Sequence, residues 1–229
     1  SSKIKEDGSF ILKDRIHLPT FYNLHLGDQK IIPILIQPGE SAGLTTSADA
    51  FSSAYEISGS PESLLIRDLN RKLAATDRSL DSLRAILNNN PGISDEDLAE
   101  LQSASEKIIE SQRRYSIRFV IENMHSLVSI YALYQKFNTG EFVLSSNKDI
   151  QLLKITAASL DTIYPESEFV VSLKRDAENM VNAYKNQKLK TFLEAAPVSI
   201  PEISLPDPEG DTLHLSALLG NVVILSFWA

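Results

Sequence analysis

The chain of 229 residues contains no cysteine, which removes three kinds of chemistry from it. Without thiols it can form no disulfide, bind no metal through thiolate sulfur and use no cysteine as a nucleophile. The absence does not by itself indicate a redox compartment. Any chemistry within the chain must therefore come from oxygen and nitrogen groups.

An excess of basic residues and long apolar runs are also missing. Lys and Arg number 22 against 30 Asp and Glu, which gives a formal net charge of -8 and a pI of about 5.1. Phosphate backbones require a basic face, so this balance argues against a nucleic-acid partner. No apolar run reaches the ~18–20 residues of a membrane span. Hydrophobic residues make up 43% of the chain, which is ordinary for a globular protein with one large or two small domains.

Residues 1–58 have the pattern of a β-rich domain. Asp7-Gly8 is a turn signal, and the alternation of Phe10, Leu12 and Ile16 around it predicts a first strand. Further strands are predicted over 21–26, 31–36, 44–46 and 55–57. Short strands with turn residues between them indicate a small antiparallel sheet or sandwich.

The apolar period changes to a helical one after residue 58, and helices are predicted through 59–193. Ser60 is placed as an N-cap with Pro61 at the first helical position, and a stop follows at 88–92. Ser94 begins a second capping signal, and breaks are predicted at 122–124 and at Gly140. Two more helices are predicted at about 147–163 and 166–190. The sequence thus predicts an α+β protein with a β-rich region, a helical bundle and a linker at 194–204.

No catalytic, cofactor-binding or metal-binding residue is predicted within the chain. The candidates for such roles are four histidines, three adjacent acidic residues, three arginines and a set of aromatics at helical spacing: His17, His25, His125 and His214; Asp95, Glu96 and Asp97; Arg113, Arg114 and Arg118; Tyr115, Phe119, Tyr131, Tyr134 and Phe137. A zinc site needs three or four converging ligands, which isolated histidines do not supply. The three acidic residues fit the N-terminal, positive end of a helix dipole. The three arginines fit a solvent-exposed face. The aromatics fit helix packing, with a peptide-binding groove as the open alternative.

The last segment, 205–229, carries a more specific pattern. It contains Pro206-Asp207, Gly210, Leu215-Ser216, Leu218 and a Gly220-Asn221 turn, followed by an apolar run, 222–226, that ends in Phe227-Trp228-Ala229. This order resembles the opening of a thioredoxin-like α/β domain of the TlpA/ResA and peroxiredoxin (AhpC/TSA) type, in which 222–228 is the first buried strand. In that family a Trp-Cys-x-x-Cys redox motif follows within a few residues. Trp228 would then belong to the strand end that positions the first of those cysteines.

A second resemblance covers most of the remaining chain. It rests on residues 6–10, 19–24, 37–40, 57–63, 123–133 and 164–167. These stretches resemble an uncharacterised N-terminal domain that precedes thioredoxin-like domains in Bacteroidetes cell-envelope proteins. One or two more strands precede the Asp-Gly-Ser-Phe turn in that family. The resemblance therefore implies a chain cut at both ends.

The resemblance implies the accessory part of a thiol-disulfide oxidoreductase of the cell envelope or periplasm, with lipoprotein anchoring as an option. Its partners would be proteins that exchange dithiols and disulfides through the missing domain, and no cofactor is implied. A homodimer is a further possibility. Two alternatives stay open: a non-enzymatic interaction module, and the N-terminal part of a peroxiredoxin-like peroxidase. The chain itself, lacking cysteine, is expected to be inactive in either redox reaction.

Overall fold

A computed structural model describes residues 3–27, 30–195 and 202–226 of the chain. It contains the antiparallel strands β1 (Thr20–Leu26), β2 (Lys30–Ile36), β3 (Gly43–Thr46) and β4 (Tyr55–Ser58), then the helices α1 (Pro61–Asn89), α2 (Asp95–Glu122), α3 (Val128–Leu133), α4 (Asp149–Ile163) and α5 (Glu168–Ala195), and finally β5 (Ser204–Pro206), β6 (Thr212–His214) and a one-turn 3-10 helix (Leu215–Leu218). The α+β class predicted from the sequence is confirmed. Two compact units divide the chain, Ser1–Asn182 and Ala183–Ala229.

The β-rich start of the first unit consists of two hairpins rather than one continuous sheet. β1 pairs with β2, Phe21 standing opposite Leu35, and β3 pairs with β4. Their apolar faces meet in a shared core that includes Ile32 from β2 and Ile57 from β4. The four strands predicted from 21–26, 31–36, 44–46 and 55–57 are therefore confirmed.

The first predicted strand, around Phe10, Leu12 and Ile16, is wrong. The Asp7-Gly8 turn does form, because the Lys5 N–H donates to the Ser9 carbonyl at 2.9 Å. No strand follows it within residues 3–19, where Ile11 is 62% and Leu12 50% exposed. The alternation of apolar and polar residues does not by itself produce a strand, because a strand also needs a neighbouring strand to pair with.

The predicted helix starts are confirmed by their caps. The Ser60 side chain accepts from the Ser63 N–H at 3.4 Å, and Pro61 begins α1. The Ser94 side chain accepts from the Asp97 N–H at 3.1 Å at the start of α2. The third helix is shorter than the sequence suggested, because α3 ends at Leu133 and Gly140 lies in a later turn with a φ of 87°.

Two buried serines join the β hairpins to α1. Ser63 Oγ donates to the Leu35 carbonyl at 2.8 Å and accepts from the Leu35 N–H at 3.0 Å, so a helical side chain completes the hydrogen bonding of β2. Ser60 Oγ lies 3.1 Å from the same carbonyl. Glu62 of the same turn accepts from Gln37 and from Ser126. Several stretches that carry the second resemblance therefore form one structural junction.

The main core lies between the helices and β2. Leu35, Leu69, Leu127, Leu160 and Leu173 are among its fully buried members. Tyr131 is half-buried and packs against this core. The prediction that Leu127 and Tyr131 face the helical core is therefore confirmed.

The far ends of α1 and α2 extend beyond that core. The last buried residue of α1 is Leu80, and the first of α2 is Gln112. Between them Ile86 and Leu87 are 46% and 41% exposed, although they continue the apolar stripe of α1. This antiparallel pair of helix ends is joined at its base by Thr76 Oγ1, which donates to Gln112 Oε1 at 2.7 Å.

The second unit contains a short hairpin formed by β5 and β6. Asp207 closes its turn, accepting from the backbone N–H groups of Glu209 and Asp211 at 3.0 and 2.9 Å. The predicted strand 222–228 is not formed over 222–226, where Val222 is 96% and Ile224 89% exposed. An apolar strand is stable only when neighbours pair with it and cover it. Residues 227–229, including Trp228, lie outside the described part of the chain.

Candidate functional site

The histidines and acidic residues that are candidate metal ligands do not converge on a common point. His17, His25, His125 and His214 are all exposed, and the described ranges contain no converging set of three His, Asp or Glu side chains. Asp97 accepts from the Ser94 hydroxyl at 2.6 Å, which places it in the capping turn of α2. The interpretation of 95–97 as helix N-terminal charges is therefore confirmed.

Two Ser–His pairs that the sequence did not reveal lie on the surface. Ser159 of α4 is 2.9 Å from Nδ1 of the exposed His125. In the second unit, Ser204 is 2.9 Å and Glu202 Oε1 3.2 Å from Nδ1 of His214. A hydrolytic triad needs the serine and the carboxylate on opposite ring nitrogens, so that one orients the ring while the other receives the proton. His214 uses the same nitrogen for both, and the arrangement does not support nucleophilic catalysis.

The three arginines do not form a common surface site. The Arg113 guanidinium turns inward to the buried carboxylate of Asp149, which also accepts from the Ser146 N–H at 2.8 Å. Arg114 and Arg118 point to solvent. A buried carboxylate requires such a partner, so the role of Arg113 is structural.

A cavity of about 440 Å³ lies in the first unit. Its walls come from β1, α1, the α3 region and the start of α5. The lining residues are Phe21, Asn70, Leu73, Ile130, Tyr131, Tyr134, Gln135, Lys136 and Phe169. This volume falls within the ~300–1,000 Å³ range typical of small-molecule sites.

Aromatic rings form much of the cavity wall. Phe21 stacks against Tyr131 with centroids 6.4 Å apart and meets Phe169 edge-on at 5.0 Å. These contacts hold the rings in place before any ligand enters. Pre-positioned aromatic walls favour planar apolar groups, because little conformational entropy remains to be lost on binding.

A polar network occupies one side of the cavity. The Tyr131 hydroxyl donates to Asn70 Oδ1 at 2.9 Å, and Gln135 Nε2 reaches the same oxygen at 3.4 Å. Gln135 is only 5% exposed, and its Oε1 atom has no hydrogen-bond partner among the described residues. The Asn70 carboxamide also lies close enough to the buried Tyr55 hydroxyl to oppose the pKa rise that burial causes there, although the two groups do not reach hydrogen-bond geometry.

Two charged residues stand at the edge of this site. The Tyr134 hydroxyl donates to Asp176 Oδ2 at 2.7 Å, and burial together with this bond raises the pKa of Tyr134. Lys136 places its ammonium 4.3 Å from the centre of the Phe142 ring. Tyr134 thus stays protonated over the physiological range, with its proton directed at the carboxylate.

The sequence identified two of the nine lining residues as aromatics of interest. Tyr131 and Tyr134 line the cavity, whereas Phe119 and Phe137 are buried in core clusters and Tyr115 packs against the main core. Phe21 and Phe169 were missed as site residues because they lie more than a hundred positions apart. Asn70 and Gln135 carried no local signal, since a polar residue within a helical sequence pattern is ordinarily expected to face solvent.

Comparison of the chain with family models, curated proteins and solved structures found no match. None of the helices in the described ranges combines the length and apolar character that a bilayer crossing requires. The functional argument therefore starts from the cavity.

Proposed function

We propose that this chain is the accessory portion of a thioredoxin-like thiol-disulfide oxidoreductase of the cell envelope, and that residues 1–182 act as its recognition module. The observation that carries the recognition role is the cavity of about 440 Å³ with its pre-positioned aromatic wall. Such a site selects a ligand or partner group by shape and hydrogen bonding. In the envelope, free or lipid-anchored, it would bring the redox domain to its substrate.

Recognition suits the chemistry of the cavity better than catalysis does. The residues that line it include no histidine, carboxylate, serine or thiol, and the one amine, that of Lys136, already lies over the Phe142 ring. Burial is the main cause that raises the pKa of both Tyr131 and Tyr134, so neither hydroxyl is activated towards the phenolate. Groups that stay neutral and fixed are suited to binding.

The redox part of the proposal rests on the resemblance of 205–229. The exposure of Val222 and Ile224 supports it, since an apolar segment of this kind is ordinarily covered by the other strands and helices of an α/β domain. The β5–β6 hairpin is an ordered element that precedes that segment in the chain.

A disulfide-reduction assay tests this proposal. We expect the 229-residue chain to leave insulin disulfides intact, because it has no thiolate to attack them. A gene product that continues past Ala229 into a Cys-x-x-Cys motif should reduce them, and its double Cys→Ser variant should not.

The same experiment separates the alternatives. A continuation with no cysteine and no reductase activity would favour an interaction module, for which the cavity is the specific support. A continuation with one reactive cysteine and turnover of hydrogen peroxide would identify a peroxidase. Either result contradicts the oxidoreductase proposal while leaving the binding role of the cavity to be measured separately.

A further inference from the structure

The charge at the edge of the cavity has the opposite sign to that of the whole chain. Lys136 lines the cavity, and Tyr134, which also lines it, donates to the carboxylate of Asp176. Burial and this bond raise the pKa of Tyr134, and the charge of the nearby Arg175 opposes that rise. Lys136, Arg175 and Asp176 together carry one net positive charge, on a chain whose net charge is -8.

The two cations at this edge have no carboxylate partner among the described residues. Arg113 and Lys174 each form an ion pair, whereas no Asp or Glu oxygen lies within ion-pair distance of Lys136 or Arg175. The Lys136 ammonium lies over the Phe142 ring, which attracts its charge but has no carboxylate lone pairs to offer. Because an ammonium carries three N–H donors, Lys136 can still bind an anion.

The rest of the lining favours an apolar ligand body. The lining residues include Phe21, Leu73, Ile130 and Phe169, and they include no carboxylate that would repel an anion. The rings of Phe21, Tyr131 and Phe169 contact one another, so a ligand lies against the open side of this wall and not between the rings. A flat apolar group gains contact area there as its surface leaves water.

We propose that the cavity binds a small aromatic carboxylate. Its ring lies against the wall formed by Phe21, Tyr131 and Phe169, and its carboxylate is directed to the positive edge at Lys136 and Arg175. The volume of about 440 Å³ suits a free small molecule, which is the occupant assigned here. The ring supplies the contact area, and the two cations select the anion over neutral and cationic molecules of the same shape. The inference rests on the recognition role proposed above and specifies its ligand.

Titration of the 229-residue chain with phenylpropanoate, phenylpropanol and phenylpropylamine tests the inference. The three probes share a ring and an alkyl chain and differ in the charge of the head group. At low ionic strength we expect the acid to bind about tenfold more tightly than the amine, with the alcohol between them, because each exposed charge contact changes the affinity by about threefold. At about 1 M salt, where the screening length is about 3 Å, the ratio should fall to about twofold.

The double variant Lys136→Met/Arg175→Met should bring the affinities for the acid and the amine to within about twofold, because both positive charges are gone. Lys72→Met/Lys185→Met is the matched control, since it changes the net charge equally. Lys72 also lies over an aromatic ring, that of Tyr115 at 5.9 Å, but neither lysine lines the cavity, so the preference for the acid should persist. All four side chains are exposed, and melting curves check that both variants fold. If the first does not fold, the salt dependence on the unaltered chain decides the question.

The side-chain amide NMR signals of Asn70 and Gln135 locate the probes. Shifts of these signals together with equal or tighter binding of the alcohol or the amine would overturn the inference and leave the recognition role of the cavity in place. No shift with any of the three probes would overturn both. Tighter binding of the peptide acetyl-Ala-Ala-Phe than of phenylpropanoate would assign the site to the carboxyl end of a peptide and overturn the free acid. None of these outcomes depends on the insulin assay, so the ligand and the redox assignment can fail independently.

Discussion

At the scale of single residues, the motifs that carry the second resemblance serve structure more than chemistry. Ser60 and Ser63 are fully buried and complete the hydrogen bonding of Leu35, and Glu62 joins α1 to Ser126. Polar residues with full sets of partners fix a single packing arrangement. The residues that form the cavity, in contrast, include the buried amide of Gln135, whose oxygen has no hydrogen-bond partner among the described residues.

Leu127→Ala should destabilise the first unit. Leu127 is fully buried in the main core, so the substitution removes apolar contacts and leaves a cavity, which costs ~2–5 kcal/mol. Leu189→Ala is the control, because Leu189 is 57% exposed and should change stability by ~0.5 kcal/mol or less. Chemical denaturation measures both, and an unchanged midpoint for Leu127→Ala would contradict the core assignment.

Tyr22→Phe should raise the pKa of Asp14. The Tyr22 hydroxyl donates to Asp14 Oδ2 at 2.6 Å, and this bond is the main reason that the pKa of Asp14 lies below its ordinary 3.8 and that the pKa of Tyr22 is raised to about 12. Because the pKa of the folded carboxyl is lowered, the bond stabilises the fold above the ordinary pKa and is lost as pH falls through the lowered one.

Carboxyl NMR titration measures this effect. The pKa of Asp7, which is lowered mainly by Ser9, serves as an internal control and should not move. An unchanged Asp14 pKa in Tyr22→Phe would show that the hydroxyl does not hold the carboxylate.

At the scale of elements, the β hairpins meet α1 at a sharp turn that only glycine can make. Gly59 has a φ of 72°, and a Cβ there would stand 2.4 Å from the Ser41 carbonyl oxygen. Ser60 then begins the helix directly, so β4 and α1 follow each other with almost no loop. Salt bridges from Arg67 and Arg71 to Glu56, at 2.7 and 2.8 Å, lie across the same junction.

Gly59→Ala should therefore destabilise the protein. The left-handed backbone alone costs ~1–2 kcal/mol for alanine, and the close approach to Ser41 adds to it. Gly92→Ala is the matched control, because its Cβ would meet no atom within 4 Å and its φ is not strained; we expect stability to be unchanged or to rise by ~0.4–1 kcal/mol. Equal denaturation midpoints for the two variants would refute the strain argument.

At the scale of the whole molecule, the two compact units differ in how much of their apolar surface is buried in a core. The first unit has a continuous core formed by its helices and by strand β2. The described part of the second consists of the end of α5, a hairpin with exposed Leu205 and Leu213, and an uncovered apolar segment at 222–226. Exposed apolar segments with unpaired backbone tend to pair with other chains.

The 229-residue chain should therefore self-associate through 222–226. We expect the apparent mass in sedimentation to rise with concentration, and the double variant Val222→Asp/Ile224→Asp to stay monomeric. Both side chains are almost fully exposed, so the substitutions break no internal packing. Val171→Asp, at a position 54% exposed in the first unit, is the control and should associate as the unaltered chain does. A chain that is monomeric at all concentrations would contradict this prediction.

The sequence by itself determined the order of the elements in the first unit. Turn residues and caps act locally, so the sequence predicts the turn at Asp7-Gly8 and the helix starts at Ser60-Pro61 and Ser94, and the structure contains all three. The change from β to α at residue 58 followed from the spacing of apolar residues, which depends only on the geometry of each element. The strand expected around Phe10 failed because pairing is not a local property.

Only the tertiary structure decided where the site lies. Phe21 and Phe169 meet because β1 and the start of α5 pack on the same core, and no short-range pattern encodes that contact. The Tyr131 hydroxyl and the Gln135 amide both donate to Asn70, which lies some sixty positions earlier in the chain. Likewise, the apolar character of 222–226 predicted a buried strand, whereas burial depends on neighbours that the described residues do not supply. Local geometry is determined by nearby residues, whereas the pairing, burial and polarity of a site depend on the distant parts of the chain that meet there.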